Sequence, residues 1–257
     1  MLRPPDRIWR RVTRTPLCGP GIVHSSHRGA GTIRGDTMKI GIIGAGQIGG
    51  ALTRRPTALG HTVLVANSRR PETLRDLAAE TGATAVTSRE AVKNVDLIVV
   101  TIPEKNIPDL PSDLFADVPR AVPVIDTGNY YPRERDGRIA AIEAGLPESR
   151  WVEKTLGHPV IKAFNNIRAL HLLENGKPAG TPGRIALPVA GDDEAAKAIV
   201  LELVNDLGFD PVDTGSLDDS WRQQPGTPVY GTDLDAAGVK KALAEARPER
   251  TAQWKAQ

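Results

Sequence analysis

A glycine-rich hexapeptide, Gly44-Ala45-Gly46-Gln47-Ile48-Gly49, directly follows the apolar run Lys39–Ile43. The three glycines suit a loop that turns sharply, lets its backbone approach a pyrophosphate, and packs the next helix closely on the preceding strand. The helix start beyond them offers unpaired N–H groups and the positive end of its dipole to phosphate oxygens. Alone the motif is weak. Here it has a strand before it, a helix after it and a second strand at the expected distance, the context that gives it meaning.

The second set of residues chooses between dinucleotides. A strand over Thr62–Ala66 runs into Asn67-Ser68-Arg69-Arg70, where an NAD site would carry a carboxylate for the ribose hydroxyls. A hydroxyl and two guanidinium groups stand there instead, and Arg forms strong charge-assisted bonds with phosphate. Arg pairs ahead of Pro71 would oppose the dipole of a helix start, which favours the phosphate role over a solvated surface. The reading is NADP(H), more than NAD. Thr101-Ile102-Pro103 and Asp126-Thr127-Gly128-Asn129 close two further strands. Ligands in open α/β sheets lie at such carboxyl ends, so Thr101, Ile102, Pro103 and Asn129 are candidates to border the nicotinamide; ordinary turn chemistry explains the same residues.

No other constellation offers chemistry. The single cysteine, Cys18, permits no internal disulfide or thiol metal cluster, and no metal site is expected. His24 and His27 fall in the N-terminal stretch. His61 reads as a surface turn residue, His158 precedes Pro159, and His171 falls in a helical stretch; none is assigned proton-handling.

The elements that must position these residues follow the alternation of a parallel sheet with crossover helices. Strands are expected at 39–43, 62–66, 83–86, 97–101, 122–126, 159–164, 185–189 and 210–213. Helices are expected at 47–59, 71–80, 88–93, 138–144, 149–156 and 193–207. Leu97-Ile98-Val99-Val100 is apolar on both faces, as a central parallel strand requires. Pro56 conflicts with its helix, because it removes a hydrogen bond to the Leu52 carbonyl, and a kink or early end near residues 52–56 is expected. The fold class is therefore α/β: a Rossmann-type, doubly wound, mainly parallel sheet with a short C-terminal extension.

Of 257 residues, 40% are apolar, and the formal net charge is +2. Residues 1–37 hold seven Arg, no Lys and two Asp, which leaves −3 on the remainder. A slightly acidic body has no electrostatic footprint for nucleic acid. No stretch reaches the roughly 18 apolar residues of a membrane helix, so a soluble, cytoplasmic protein is expected. Residues 1–37, rich in Arg, Gly and Pro and without periodicity, are expected to be a disordered extension; an over-extended start ahead of Met38 and a transit peptide are the two readings of it. The expected division is 1–37 extension, 38–215 NADP-binding domain, and 216–257 completing the acceptor side or a dimer contact.

Taken in order, MKIGIIGAGQIGGAL, VANSRRPETL, VDLIVVTIPEKN, VIDTGNYY, VIKAFNNI and LPVAGDDEAAKAIVLELVNDLGFDPVDTG resemble the coenzyme F-420-dependent NADP oxidoreductases and related dinucleotide-binding proteins across most of residues 38–215. The resemblance implies hydride transfer between NADPH and a deazaflavin, coenzyme F-420, or another flavin-like acceptor, in a homodimer. It implies that Ser68 and Arg69 grip the 2′-phosphate, and that Thr101, Ile102, Pro103, Asn129 and Asn165 surround the nicotinamide and acceptor. Two cofactors exchanging hydride need orientation more than side-chain chemistry. The chain departs from the archaeal members, where a His stands in place of Asn165, and its end from Ser220 to Asp233 is polar. Trp221, Arg222 and Tyr230 could line an acceptor pocket or a dimer contact.

Pyrroline-5-carboxylate reductases and β-hydroxyacid dehydrogenases share the N-terminal half but add a long helical domain, for which the residues after Ile167 are too few and too β-rich. Because fold alone does not decide function, a non-catalytic NADPH sensor or scaffold, and a reductase of an unidentified small molecule, remain the alternatives.

Overall fold

The computed structural model describes residues 37–257, and the expectations for the N-terminal extension lie outside them. The chain lays down β1 (Lys39–Ile43), α1 (Gln47–Ala58), β2 (Thr62–Ala66), α2 (Arg75–Thr81), β3 (Thr84–Ala85), α3 (Ser88–Ala91), β4 (Leu97–Val100) and β5 (Val124–Asp126). It continues with α4 (Ala140–Glu143), α5 (Glu148–Leu156), β6 (Ile161–Lys162), α6 (Ala169–Glu174), β7 (Ala186–Val189), α7 (Glu194–Asp206), β8 (Asp210–Asp213) and α8 (Ala236–Glu245).

Six strands form one parallel sheet in the order β3-β2-β1-β4-β5-β6. The order reverses between β1 and β4, which creates a crevice at their carboxyl ends, the general ligand position of such sheets. Alternate residues of the central strands feed two cores. Ile40, Ile42, Val63, Val65, Leu97 and Val99 pack with Leu52 of α1 and Val200 and Leu203 of α7. Ile43, Ile98, Val100 and Val124 pack on the other face with Ala91 of α3 and Val152 and Leu156 of α5. Both faces are covered, as parallel pairing demands. The fold is Rossmann-like.

Several expectations are corrected in detail. β7 and β8 pair with each other in a separate two-stranded parallel sheet, joined to the main one by an antiparallel bridge from Lys162 to Ala190. The predicted helix 71–80 opens instead as a 3-10 turn over Pro71–Leu74. The last stretch forms α8, whose Val239, Ala242 and Leu243 pack on Ala186 and Val212. α1 runs through a buried Pro56 to Ala58, so it does not end early; Thr53 and Thr57 hydroxyls donate to the carbonyls of Gly49 and Thr53 along the way. His61 is buried, not a surface residue: its Nδ1 accepts from the Met38 N–H at 3.1 Å and pins β2 to the start of β1.

Candidate functional site

The three loop glycines are needed for different reasons. Gly44 has φ +112°, its N–H donates to the Ala66 carbonyl at 2.8 Å, and a Cβ on it would collide with the Thr101 carbonyl. A Cβ on Gly49 would collide with the Gly44 carbonyl. Packing of α1 against the β1 and β4 ends therefore dictates these two. Gly46 is exposed, has ordinary backbone angles (φ −74°, ψ −160°), and a Cβ on it would meet nothing within 4 Å. Among the described residues no contact calls for glycine there, which leaves room for a ligand's close approach, the role of this position in loops of this kind. Gly46 is also the N-cap of α1 and makes no side-chain cap, as at α2, α4, α5 and α6 and unlike α3, α7 and α8, which are capped by Thr87, Asp193 and Asp235. The α1 N-terminus thus keeps N–H groups without side-chain partners, beside exposed Gln47 and half-buried Ala45 and Ile48. A pyrophosphate fits these groups.

At the end of β2, the Asn67 carboxamide accepts from the Arg69 N–H at 2.9 Å and donates to the Thr73 hydroxyl at 3.0 Å. Asn67 thus shapes the turn, which leaves Ser68, Arg69 and Arg70 exposed. The ion pairs nearest in sequence, Arg54 with Glu80 and Arg89 with Asp113, involve neither guanidinium. Thr101, Ile102 and Pro103 are half-buried at the β4 end, with the Thr101 N–H donating to the Ile43 carbonyl at 2.9 Å.

The structure brings Asn129 and Asn165 together. Asn129 Nδ2 donates to the Asn165 carbonyl at 2.9 Å, and Asn165 Nδ2 donates to Asn129 Oδ1 at 3.1 Å and to the Gln223 carbonyl at 2.7 Å. Gln223 Nε2 returns a bond to Asn165 Oδ1 at 3.0 Å. Asn165 is therefore committed to holding three segments together, while its neighbour Asn166 is buried with neither amide atom paired among the described residues. The turn that presents them is held with Phe164 at φ +60°, an uncommon conformation for a bulky residue. Of the polar C-terminal candidates, Trp221 stacks under Arg222 at 4.5 Å, and the Tyr230 hydroxyl meets that of Tyr131. Burial, then the Tyr131 hydroxyl, pushes the Tyr230 phenol up.

Beneath these strand ends lies a layer of buried charge that the sequence reading did not assign. Lys162, fully buried, donates to Asp126 Oδ2 at 3.1 Å and to the Gly128 carbonyl at 2.6 Å. Ser149 donates to the same Asp126 oxygen at 2.6 Å, and the Gly128 N–H donates to Asp126 Oδ1 at 2.8 Å. Burial alone would lower the Lys162 ammonium, but Asp126 and Glu148 hold it above its ordinary value. Glu104 and Glu148 are buried as well. The available signal was a charge interrupting an apolar strand, as Lys162 does in Val160-Ile161-Lys162-Ala163-Phe164.

A switch-point crevice, a glycine with open space beside it at a helix start without a side-chain cap, and a carboxylate-free β2 end are the features of a dinucleotide-binding protein. Residues 39–130 match the family model described as NADP oxidoreductase coenzyme F420-dependent. The chain is similar to hypothetical protein SMa0349 of Sinorhizobium meliloti, whose solved structure gives a TM-score of 0.65 at 30% identity over 77% of this chain and 95% of that one. It is 52% identical over 69 residues to protein YjhV of Escherichia coli K12, covering 27% of this chain and 50% of that protein. It is 28% identical over 183 residues to metalloreductase STEAP3 of Rattus norvegicus, covering 71% of this chain and 35% of that protein. The chain thus spans half, or about a third, of the length of these two curated relatives. It belongs to the coenzyme F-420-dependent NADP oxidoreductase family.

Proposed function

We propose that this protein binds NADP(H) and transfers hydride between NADPH and a flavin-like or deazaflavin acceptor, coenzyme F-420 among them. The observation that carries the reading is the pairing of Gly46, required by no contact among the described residues, with an exposed Ser68-Arg69 turn that holds no carboxylate. Gly44, Gly46 and Gly49, with Ala45, Gln47 and Ile48, would form the pyrophosphate cradle; Asn67 would shape the turn from which Ser68 and Arg69 hold the 2′-phosphate. Thr101, Ile102 and Pro103 would flank the nicotinamide on one side, and Asn129, fixed by Asn165, would border it on the other.

Bound NADPH supplies the hydride, and the protein supplies stacking and orientation. Residues 38–215 hold the cofactor in this reading, and residues 216–257 complete the acceptor side of a homodimeric, cytoplasmic enzyme. Among the described residues no helix is long and apolar enough to cross a membrane. One observation favours a smaller acceptor, or a sensor with none: Gln223 and Gly231 bond to Asn165 and to the Asn166 carbonyl, so the C-terminal segment lies close over the β6 end. Parallel titration of the full chain with NADPH and NADH tests the assignment. Tighter binding of NADPH is expected, and equal affinity would remove the phosphate role from Arg69.

A further inference from the structure

The charged layer under the site has one member without a role. Glu104 opens the 3-10 turn after Pro103, is fully buried, and has neither carboxyl oxygen in a hydrogen bond among the described residues. It lies against the β5 turn so closely that a Cβ on Gly128 would run into its Oε1. Asp126 of β5 meets the same Gly128 position, and Lys162 of β6, Glu148 of α5 and Asp136 of the turn at 132–136 also bear on the charge of Glu104.

The charges of that layer pair off without it. Asp126 has Lys162, Glu148 has Arg250, and Asp136 has Arg135. Asp136 also accepts from the N–H groups of Tyr131 at 2.7 Å and Lys105 at 3.3 Å. Three carboxylates meet three cations, and Glu104 is the fourth carboxyl. An ionised carboxylate without a cation or a hydrogen bond is so costly in an interior that the group keeps its proton instead.

We propose that Glu104 is a positioning residue of the reductase site: an uncharged carboxylic acid that fills the space under Gly128 and leaves Lys162 free to hold the Gly128 carbonyl. The Gly128–Asn129 turn is thereby fixed where it borders the nicotinamide, so the inference rests on the NADPH reading above. Burial, reinforced by Asp126, holds the Glu104 proton well above the usual carboxylate range, against the pull of Lys162. Ionisation would give Lys162 a further anion to face, beyond Asp126 and Glu148, and draw it from the Gly128 carbonyl. NADPH binding then weakens as the solution becomes alkaline, and Glu104 sets the limit.

Infrared spectra and NADPH titrations of the full chain and of Glu104→Gln test this. At about pH 7 the native protein is expected to show a protonated-carboxyl stretch that the variant lacks. Over the pH range in which that band disappears, the native affinity for NADPH is expected to fall by roughly tenfold relative to that of the variant. Glu104→Met, also uncharged at every pH, serves if the glutamine variant does not fold. A native spectrum without that band, or parallel loss of affinity in native and variant proteins, would overturn the proposal. A native chain that shows the band but binds NADPH at no pH would instead refute the cofactor reading, and the positioning role with it.

Discussion

Replacing Gly46 with serine separates a ligand contact from a folding requirement. Gly46 has φ and ψ that any residue adopts, and a Cβ there meets nothing within 4 Å. Serine is also a preferred N-cap, so stability should change by no more than ~0.5 kcal/mol, or about 2 °C in Tm for a domain of this size. The new side chain would nonetheless stand between the α1 N-terminus and a bound phosphate. Loss of one charge-assisted hydrogen bond, ~1.5–3 kcal/mol, weakens NADPH binding by roughly tenfold to a hundredfold. Gly49→Ala is the converse. Its methyl group is driven into the Gly44 carbonyl, an overpacking cost of ~1–3 kcal/mol and a Tm loss of about 2–12 °C. Thermal unfolding by circular dichroism and NADPH titration by nicotinamide fluorescence read both effects. The reasoning is refuted if Gly46→Ser binds NADPH within about twofold of native, or if it unfolds as early as Gly49→Ala.

Three further outcomes are expected. Arg69→Asp should weaken NADPH binding by about tenfold to a hundredfold and NADH binding little, with Tm nearly unchanged because Arg69 is exposed; equal losses for both dinucleotides would contradict the phosphate assignment. Arg250→Met removes the cation of buried Glu148 and should cost ~3–5 kcal/mol at neutral pH. Burial already pushes the Glu148 carboxyl up, despite Arg250, so the variant takes up a proton on folding and its deficit should shrink in acid; a deficit independent of pH would argue against the ion pair. For Glu104 the folded-state proton is held above its unfolded value. Its stabilising contribution is full below the unfolded carboxyl range near about pH 4.3 and declines as pH rises toward the folded value. Glu104→Gln should therefore flatten the fall of Tm between mildly acidic and alkaline solution, and identical profiles for the two proteins would show that Glu104 does not titrate there.

Local pattern made much of the frame legible. β1 and β2 occupy the expected residues, and the glycine loop lies where the Lys39–Ile43 run ends, because chain geometry ties such a loop to its strand and helix. Element ends were less accurate: the predicted strand at 159–164 is hydrogen-bonded as a strand only over Ile161–Lys162, since sheet pairing, not apolar content, decides where a strand ends. Long-range register hid the rest. Asp126 and Lys162 are neighbours only because β5 and β6 pair in that register, and neither residue alone announces an ion pair. Asn165 and Gln223 are likewise far apart in sequence and meet only in the fold. His61 shows how context overrides type: a histidine beside a glycine suggests a surface turn, yet the backbone of Met38 claims its ring nitrogen.

Hydride transfer itself is tested most directly by following NADPH oxidation at the nicotinamide absorbance with the full chain, offering coenzyme F-420, FMN and FAD in turn. Turnover with one of these acceptors, diminished at subsaturating NADPH in both Gly46→Ser and Arg69→Asp, is the predicted result. Tight NADPH binding without turnover on any of them would contradict hydride transfer to a flavin-like acceptor and leave a dinucleotide-binding protein of another kind.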